Sequence, residues 1–88
     1  MDKILDKLLN SFNSNELRNV DIRIREELLD SVLMCINQDE ENIKICLERL
    51  SLIKSLCLSV VNLVNPETYS LVCEVINELK RIKKLIKN

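Results

Sequence analysis

The residues best suited to chemistry in this sequence are four cysteines, Cys35, Cys46, Cys57 and Cys73. A zinc site usually begins with cysteines close together in the chain and is completed by further cysteines or histidines. Here the closest pairs are 11 positions apart, and the chain has no histidine. We therefore expect no metal site and interpret the cysteines as small apolar core residues, since free cysteine is commonly buried.

Cys57 and Cys73 allow a second interpretation. The chain is predicted to fold back at Asn65, and each of these cysteines lies eight positions from that residue. In an antiparallel helix pair the two thiols would lie at the same level, where a disulfide is geometrically feasible. A reducing compartment disfavours the bridge, so the sequence leaves open either two free core thiols or a Cys57–Cys73 disulfide.

The C-terminal end carries a cluster of basic residues, Lys80, Arg81, Lys83, Lys84 and Lys87. No acid interrupts the cluster, so it is a candidate contact for nucleic-acid phosphates or an acidic partner. Neutralisation within the molecule is the competing interpretation, because six acids and no basic residue lie between residues 26 and 41. Phe12 and Tyr69 are the only aromatics, which limits stacking on bases and makes nucleic-acid binding the less favoured interpretation.

The other charged residues do not indicate a catalytic site. Arg18, Arg23 and Arg25 are expected to form surface ion pairs with nearby glutamates, each worth little. Most carboxylates fall outside the apolar stripes, whereas catalytic carboxylates need burial or a close charged partner. The chain also has no glycine for a phosphate loop and no histidine to act as a base. We expect no enzymatic activity, no cofactor and no small-molecule substrate.

The element that positions most of these residues is predicted to be one long helix over residues 39–64. Its apolar residues recur at alternating steps of three and four, as in a helix packed against other helices. They are Ile43, Cys46, Leu50, Ile53, Cys57, Val60 and Val64. The second half of this segment is apolar on its other faces too, which predicts a central helix enclosed by its neighbours.

Three further helices are predicted around the long one. The first covers residues 2–12, the second residues 16–36 and the last residues 66–86. The last helix has the clearest start, because Asn65 is a good cap and Pro66 suits the first helical position.

Two asparagines are predicted to start the second and third helices. Asn13 and Asn37 each precede a glutamate by three positions, which is the spacing of a capping box. The second helix begins in a stretch where apolar and charged residues alternate, as they do in a β-strand. A break in the helix is therefore allowed near residues 19–21. Its connection to the third helix is predicted to be about two residues, which favours an antiparallel helix pair.

These elements predict a single all-α domain over residues 1–88, an antiparallel up-down bundle of four helices with a short first helix and a long third one. The net charge of −1 supplies no field that attracts nucleic acid or anionic membrane. No apolar run is long enough to span a bilayer, and the first residues resemble neither a signal peptide nor a transit peptide. We expect a cytoplasmic protein with reduced thiols.

The leading functional hypothesis rests on apolar residues that broaden the stripe of the long helix, namely Leu52, Leu56, Leu58 and Leu63. The short first helix cannot cover all of them, and uncovered apolar patches usually mark protein interfaces. We expect a non-enzymatic interaction module, an accessory subunit or adaptor. It would bind another protein or a second copy of itself, most simply as a two-fold dimer.

The alternative function is a nucleic-acid-associated factor that uses the basic end at residues 80–87. An accessory subunit of a DNA polymerase or replication complex is one example. Small size, helicity and the basic end support this hypothesis, and no sequence motif does.

Overall fold

A computed structural model describes residues 2–87, except for the side chain of Lys87. Its helices are α1 (Asp2–Ser11), α2 (Asn19–Met34), α3 (Glu40–Ser59) and α4 (Pro66–Lys87), with a short 3-10 turn at Val61–Leu63. Strands are absent from this part of the chain. The all-α bundle of four helices predicted from the sequence is confirmed.

The middle of the bundle is formed by α2 and α4, because each of them packs against the other three helices. α3 packs mainly against α2 and α4, and α1 packs against the same two helices. The Cα atoms extend over 41 × 25 × 15 Å. Packed helix axes lie about 8–10 Å apart, so the shortest dimension holds two layers and each helix keeps an outward face. The prediction that the long third helix is enclosed by neighbours is therefore wrong.

One hydrophobic core joins all four helices. Each of its large side chains contributes roughly 1.5–3 kcal/mol when it leaves water. Members with no exposed surface are Leu8 of α1, Leu28 and Val32 of α2, Cys35 just after α2, Ile43 and Leu50 of α3, and Val72, Val75 and Leu79 of α4. Among the seven apolar residues predicted at steps of three and four over residues 39–64, Ile53 and Val60 are half-buried and the others are buried.

The long helix predicted over residues 39–64 ends early, at Ser59. The backbone of Val60 is no longer α-helical, with φ −121° and ψ 42°, and the 3-10 turn follows it. Two adjacent β-branched residues, Val60 and Val61, weaken the helix here. Pro66 then excludes helical geometry at the residue before it, so the chain uses residues 60–65 to reverse direction.

The second helix begins later than predicted, at Asn19, and Asn13 does not cap it. Arg18 is the residue before the helix, and its amide donates to the Asp21 carboxylate at 3.2 Å. An acid near the helix start satisfies an amide that would otherwise lack a partner. The break allowed near residues 19–21 is thus the helix start itself.

The connection between α2 and α3 is also longer than predicted, covering residues 35–39. Gln38 adopts a left-handed conformation with φ 57°, and its amide donates to the carbonyl of Cys35 at 3.0 Å. Asp39, rather than Asn37, caps α3 by accepting a hydrogen bond from the amide of Glu41 at 2.9 Å. Within residues 2–87 no helix has the length and apolar composition needed to cross a membrane.

Candidate functional site

Large apolar side chains are exposed along the second half of α3 and the 3-10 turn. We call this group the α3 apolar surface: Leu52, Leu56, Leu58, Val61 and Leu63. Leu52 is 73% exposed, and every other member exposes more than half of its surface. The four leucines that the sequence indicated as uncovered are therefore exposed, and Val61 joins them.

The α3 apolar surface extends around the end of the helix. Leu52 and Leu56 are one turn apart, lie on the same side of α3 and are both exposed, whereas Cys46 and Cys57 are buried. Leu58 and Val61 lie on a different side, which faces the beginning of α4. Between residues 50 and 66 the only charged residue is Lys54, so this end of the molecule exposes apolar groups with little charge among them.

A groove runs between the end of α3 and the beginning of α4. We call it the turn groove; its volume is about 530 Å³. It is lined by the apolar side chains of Leu58, Val61 and Val64, by Tyr69 of α4 and by Arg18. This volume falls within the range of about 300–1,000 Å³ typical of binding pockets.

Two charged residues at the beginning of α2 hold the turn in place. The Arg18 guanidinium donates from Nη1 to the carbonyl of Asn62. Asp21 is completely buried, and its carboxylate accepts from the amide of Asn65 at 2.9 Å as well as from Arg18. The chain just before α4 is therefore attached to α2 by contacts between residues 44 positions apart.

Arg25 is buried, which contradicts the prediction of a surface ion pair. It is 2% exposed. Its Nε and Nη2 donate to Thr68 Oγ1 at 3.2 and 2.9 Å, and its Nη1 donates to the carbonyl of Ser11 at 2.8 Å. One side chain of α2 thus binds the end of α1 and the first turn of α4.

Arg18 and Arg23, the other two arginines predicted to form surface ion pairs with nearby glutamates, do not form such pairs among the described residues. Arg18 binds the carbonyl of Asn62, while Arg23 is exposed. Glu27, one of the glutamates expected nearby, instead lies 3.8 Å from Arg49 of α3. A sequence signal for the buried charges did exist, because Asp21 and Arg25 fall on the same helical face as Leu28.

A second cleft, of about 510 Å³, lies between the end of α1 and the beginning of α4. Arg25 lines it, together with Lys7 and Glu74. The Lys7 ammonium donates to both carboxylate oxygens of Glu74, at 2.6 and 2.7 Å. The cationic groups of this cleft are thus engaged by protein atoms.

Part of the basic end is occupied by contacts within the molecule. Arg81 donates to the Glu78 carboxylate from Nε at 3.2 Å and from Nη2 at 2.5 Å. These hydrogen bonds lower the pKa of Glu78 and raise the pKa of Arg81. Lys83 shares a crevice with the acidic residues 39–41, as expected if the two clusters partly neutralise each other.

The rest of the predicted basic cluster faces outward. Lys80 and Lys84 are exposed, and they share a shallow crevice with Leu47 of α3. The side chain of Lys87 lies outside the described residues.

All four cysteines are free thiols, so the disulfide that the sequence allowed between Cys57 and Cys73 is not formed. Cys73 instead lies close to Tyr69, and the interaction between the thiol and the phenol raises the pKa of the tyrosine. Burial raises the pKa of Cys57, and the negative charge of Asp21 adds to this effect. Cys35, Cys46 and Cys57 are buried and Cys73 is half-buried.

The buried thiols also form a pair that the sequence did not reveal. The thiol of Cys46 interacts with that of Cys35, and it donates to the carbonyl of Ser31 at 3.6 Å. Burial, followed by the contact with Cys46, raises the pKa of Cys35 to about 12. Among residues 2–87 no group of three or more metal-ligating side chains converges.

Comparisons with known proteins do not assign this chain to a family. No protein-family model, no curated protein and no solved structure matches the chain.

Proposed function

We propose that this chain is a protein-interaction module that binds another protein chain through the α3 apolar surface. The observation that carries the proposal is the exposure of five large apolar side chains on consecutive turns, led by Leu52 at 73%. Burying a leucine stabilises a structure by roughly 1.5–3 kcal/mol relative to leaving it in water. Burial of these side chains by a partner would therefore contribute favourable free energy to binding.

The arrangement of the bundle supports this role. α1 packs against α2 and α4, so it does not cover the outward face of α3. Contiguous exposed apolar patches are uncommon on globular monomers and usually mark interaction sites. The function is that of a small accessory subunit or adaptor, and its partner is another protein or a second copy of this chain.

Replacing Leu52 and Leu56 together by glutamate tests the proposal. Both positions face outward, so we expect the free energy of unfolding to change by less than about 1 kcal/mol. Association should be lost, because carboxylates would be buried without partners in the interface. Light scattering after size exclusion measures self-association, and the elution of the tagged protein in cell extract measures complexes with other proteins.

Leu85→Glu is the matched control for this experiment. Leu85 is also an exposed leucine, 62% accessible, but it lies near the end of α4, away from the α3 apolar surface. It should leave every complex unchanged. A folded Leu52→Glu/Leu56→Glu variant that forms the same complexes as the unsubstituted protein would contradict the proposal.

Nucleic-acid association is the second candidate, favoured by the exposure of Lys80 and Lys84. Within the described part of the chain neither lysine lies within ion-pairing distance of an acid. Binding to DNA or RNA that weakens steeply with added salt, and that is lost on Lys80→Glu/Lys84→Glu, would support it. No binding at low salt would exclude direct contact.

A further inference from the structure

We propose that the turn groove and Arg18 bind an amphipathic helical segment of another protein, one that places a carboxylate next to an apolar side chain. This inference rests on the proposed function and specifies the chemistry of its partner. It concerns the part of the α3 apolar surface formed by Leu58 and Val61, which contact the groove.

The shape of the site fits an apolar side chain on a larger partner. Leu58, Val61 and Val64 line the groove together with Tyr69. Leu58 and Val61 nevertheless remain 59% and 65% exposed, so the groove is open along one edge. An occupant that also covers the exposed parts of Leu58 and Val61 must reach beyond the groove, as a helix does, because a small ligand would fill only the groove.

The charge around the groove indicates a partner with acidic groups. Arg18 donates from Nη1 to the carbonyl of Asn62. In the region that the structure describes, no carboxylate lies within 4 Å of its guanidinium. The Nε and Nη2 groups are thus available to donate to a carboxylate, whose two oxygens match the geometry of guanidinium. Lys54, one helical turn before Leu58, adds a second positive charge, and residues 50–66 contain no acid.

Two acids near Arg18 influence the direction from which a carboxylate would approach. Glu16 and Glu67 share a separate shallow crevice with Arg18, but neither forms an ion pair with it. They reduce the positive potential on that side, so the favourable approach for a carboxylate is from the turn groove. Removing the charge of Glu67 should therefore strengthen binding of an acidic partner.

The same charges argue against a second copy of this chain as the occupant. A two-fold dimer places the same surface of both copies in one interface. Pairing the turn groove with itself would bring Arg18 and Lys54 near their own copies, and the acids that could compensate, Glu16 and Glu67, line a separate crevice. Like charges across an interface disfavour the pairing, whereas an acidic helix complements them.

The test is a selection of helix-forming peptides from a displayed random library, using the intact protein as bait. We expect the selected sequences to combine apolar residues at helical spacing with at least one Asp or Glu. One selected peptide is then synthesised with its acid and with the matching amide. Affinity for the acidic peptide should fall about 10-fold on Arg18→Glu, and it should rise modestly on Glu67→Gln.

Arg18→Gln serves as the second variant, because glutamine can still donate to Asn62 and preserve the turn. With Arg18→Gln the acidic peptide and its amide version should bind equally, which isolates the charge pair in a double-mutant cycle. Arg23→Glu is the matched control, because it makes the same change of charge at an exposed position of α2 outside the groove. It should leave the affinity for the acidic peptide unchanged.

Two results would overturn the inference. Selected peptides without acids, or peptides that bind both Arg18 variants as tightly as the unsubstituted protein, would refute it. If those peptides still required Leu52 and Leu56, the proposed function would stand. A library that yields no peptide dependent on the α3 apolar surface would count against both.

Discussion

At the scale of single residues, burial controls the chemistry of the thiols. Cysteine thiolate is the reactive form, so a thiol that resists ionisation is a poor nucleophile. Cys35 is completely buried, its pKa is raised to about 12, and its neighbour is another thiol rather than a cation. These cysteines therefore serve as packing residues, and Cys73 is the one with partial access to solvent.

The raised pKa of Cys35 predicts that the protein loses stability in alkaline solution. The ordinary pKa of the thiol is 9.0 and the folded value is about 12. Above pH 9 the unfolded chain releases the proton while the folded chain retains it. The contribution of Cys35 to the free energy of unfolding should therefore be constant below about pH 8 and fall as pH rises towards 12. Cys57, whose pKa is also raised, contributes in the same direction.

Urea unfolding at a series of pH values measures this effect, with Cys35→Val as the comparison. The variant removes one ionisable thiol while keeping an apolar side chain of similar size. Its free energy of unfolding should decline less steeply between about pH 9 and 10, where one such group contributes up to about 1.4 kcal/mol per pH unit. Parallel declines in the two proteins would show that Cys35 ionises equally in both states.

At the scale of helices, buried polar contacts attach the ends of three of them to one another. Arg25 of α2 donates to the carbonyl of Ser11 at the end of α1 and to the hydroxyl of Thr68 in the first turn of α4. Asp21 accepts from Asn65 just before α4. The short α1 would be marginal alone in water, so its position depends on packing and on this arginine.

Arg25→Ala should lower the free energy of unfolding by about 2–4 kcal/mol, because it leaves buried acceptors unpaired and opens space in the core. Arg23→Ala is the matched control: it removes an exposed arginine from the same helix and should cost less than about 0.5 kcal/mol. Denaturant unfolding gives both values. Equal costs for the two variants would mean that the contacts of Arg25 do not stabilise the bundle.

Periodicity was sufficient to predict the four helices and most core positions, since those follow from apolar spacing within each segment. It failed where contacts between distant residues decide the structure. Nothing local indicates that Asp21 accepts from Asn65 or that Arg25 reaches Thr68, and these contacts set the start of α2 and the turn before α4. The apolar composition of the second half of α3 was also ambiguous. It fits a buried central helix as well as an exposed binding face, and the positions of α1 and α2 resolve that choice.

At the scale of the whole molecule, the flat shape explains the exposed apolar surface. Two layers of helices give each helix an outward face, and α1 lies over α2 and α4. The two ends of the bundle then differ in chemistry. At one end Lys83 faces the acids of residues 39–41, while the other end presents apolar side chains beside Arg18. This polarity is expected of a module that joins one partner in a defined orientation.

Site-specific photo-crosslinking tests the central claim most directly. A photo-reactive amino acid replaces Leu56 in one protein and Leu85 in its matched control, and both are irradiated in the cells that produce them. The binding role predicts a discrete covalent adduct from position 56 that is absent from position 85 and is abolished by Leu52→Glu in the same chain. Equal adducts from the two positions, or an adduct at position 56 that survives Leu52→Glu, would contradict a binding role for the α3 apolar surface.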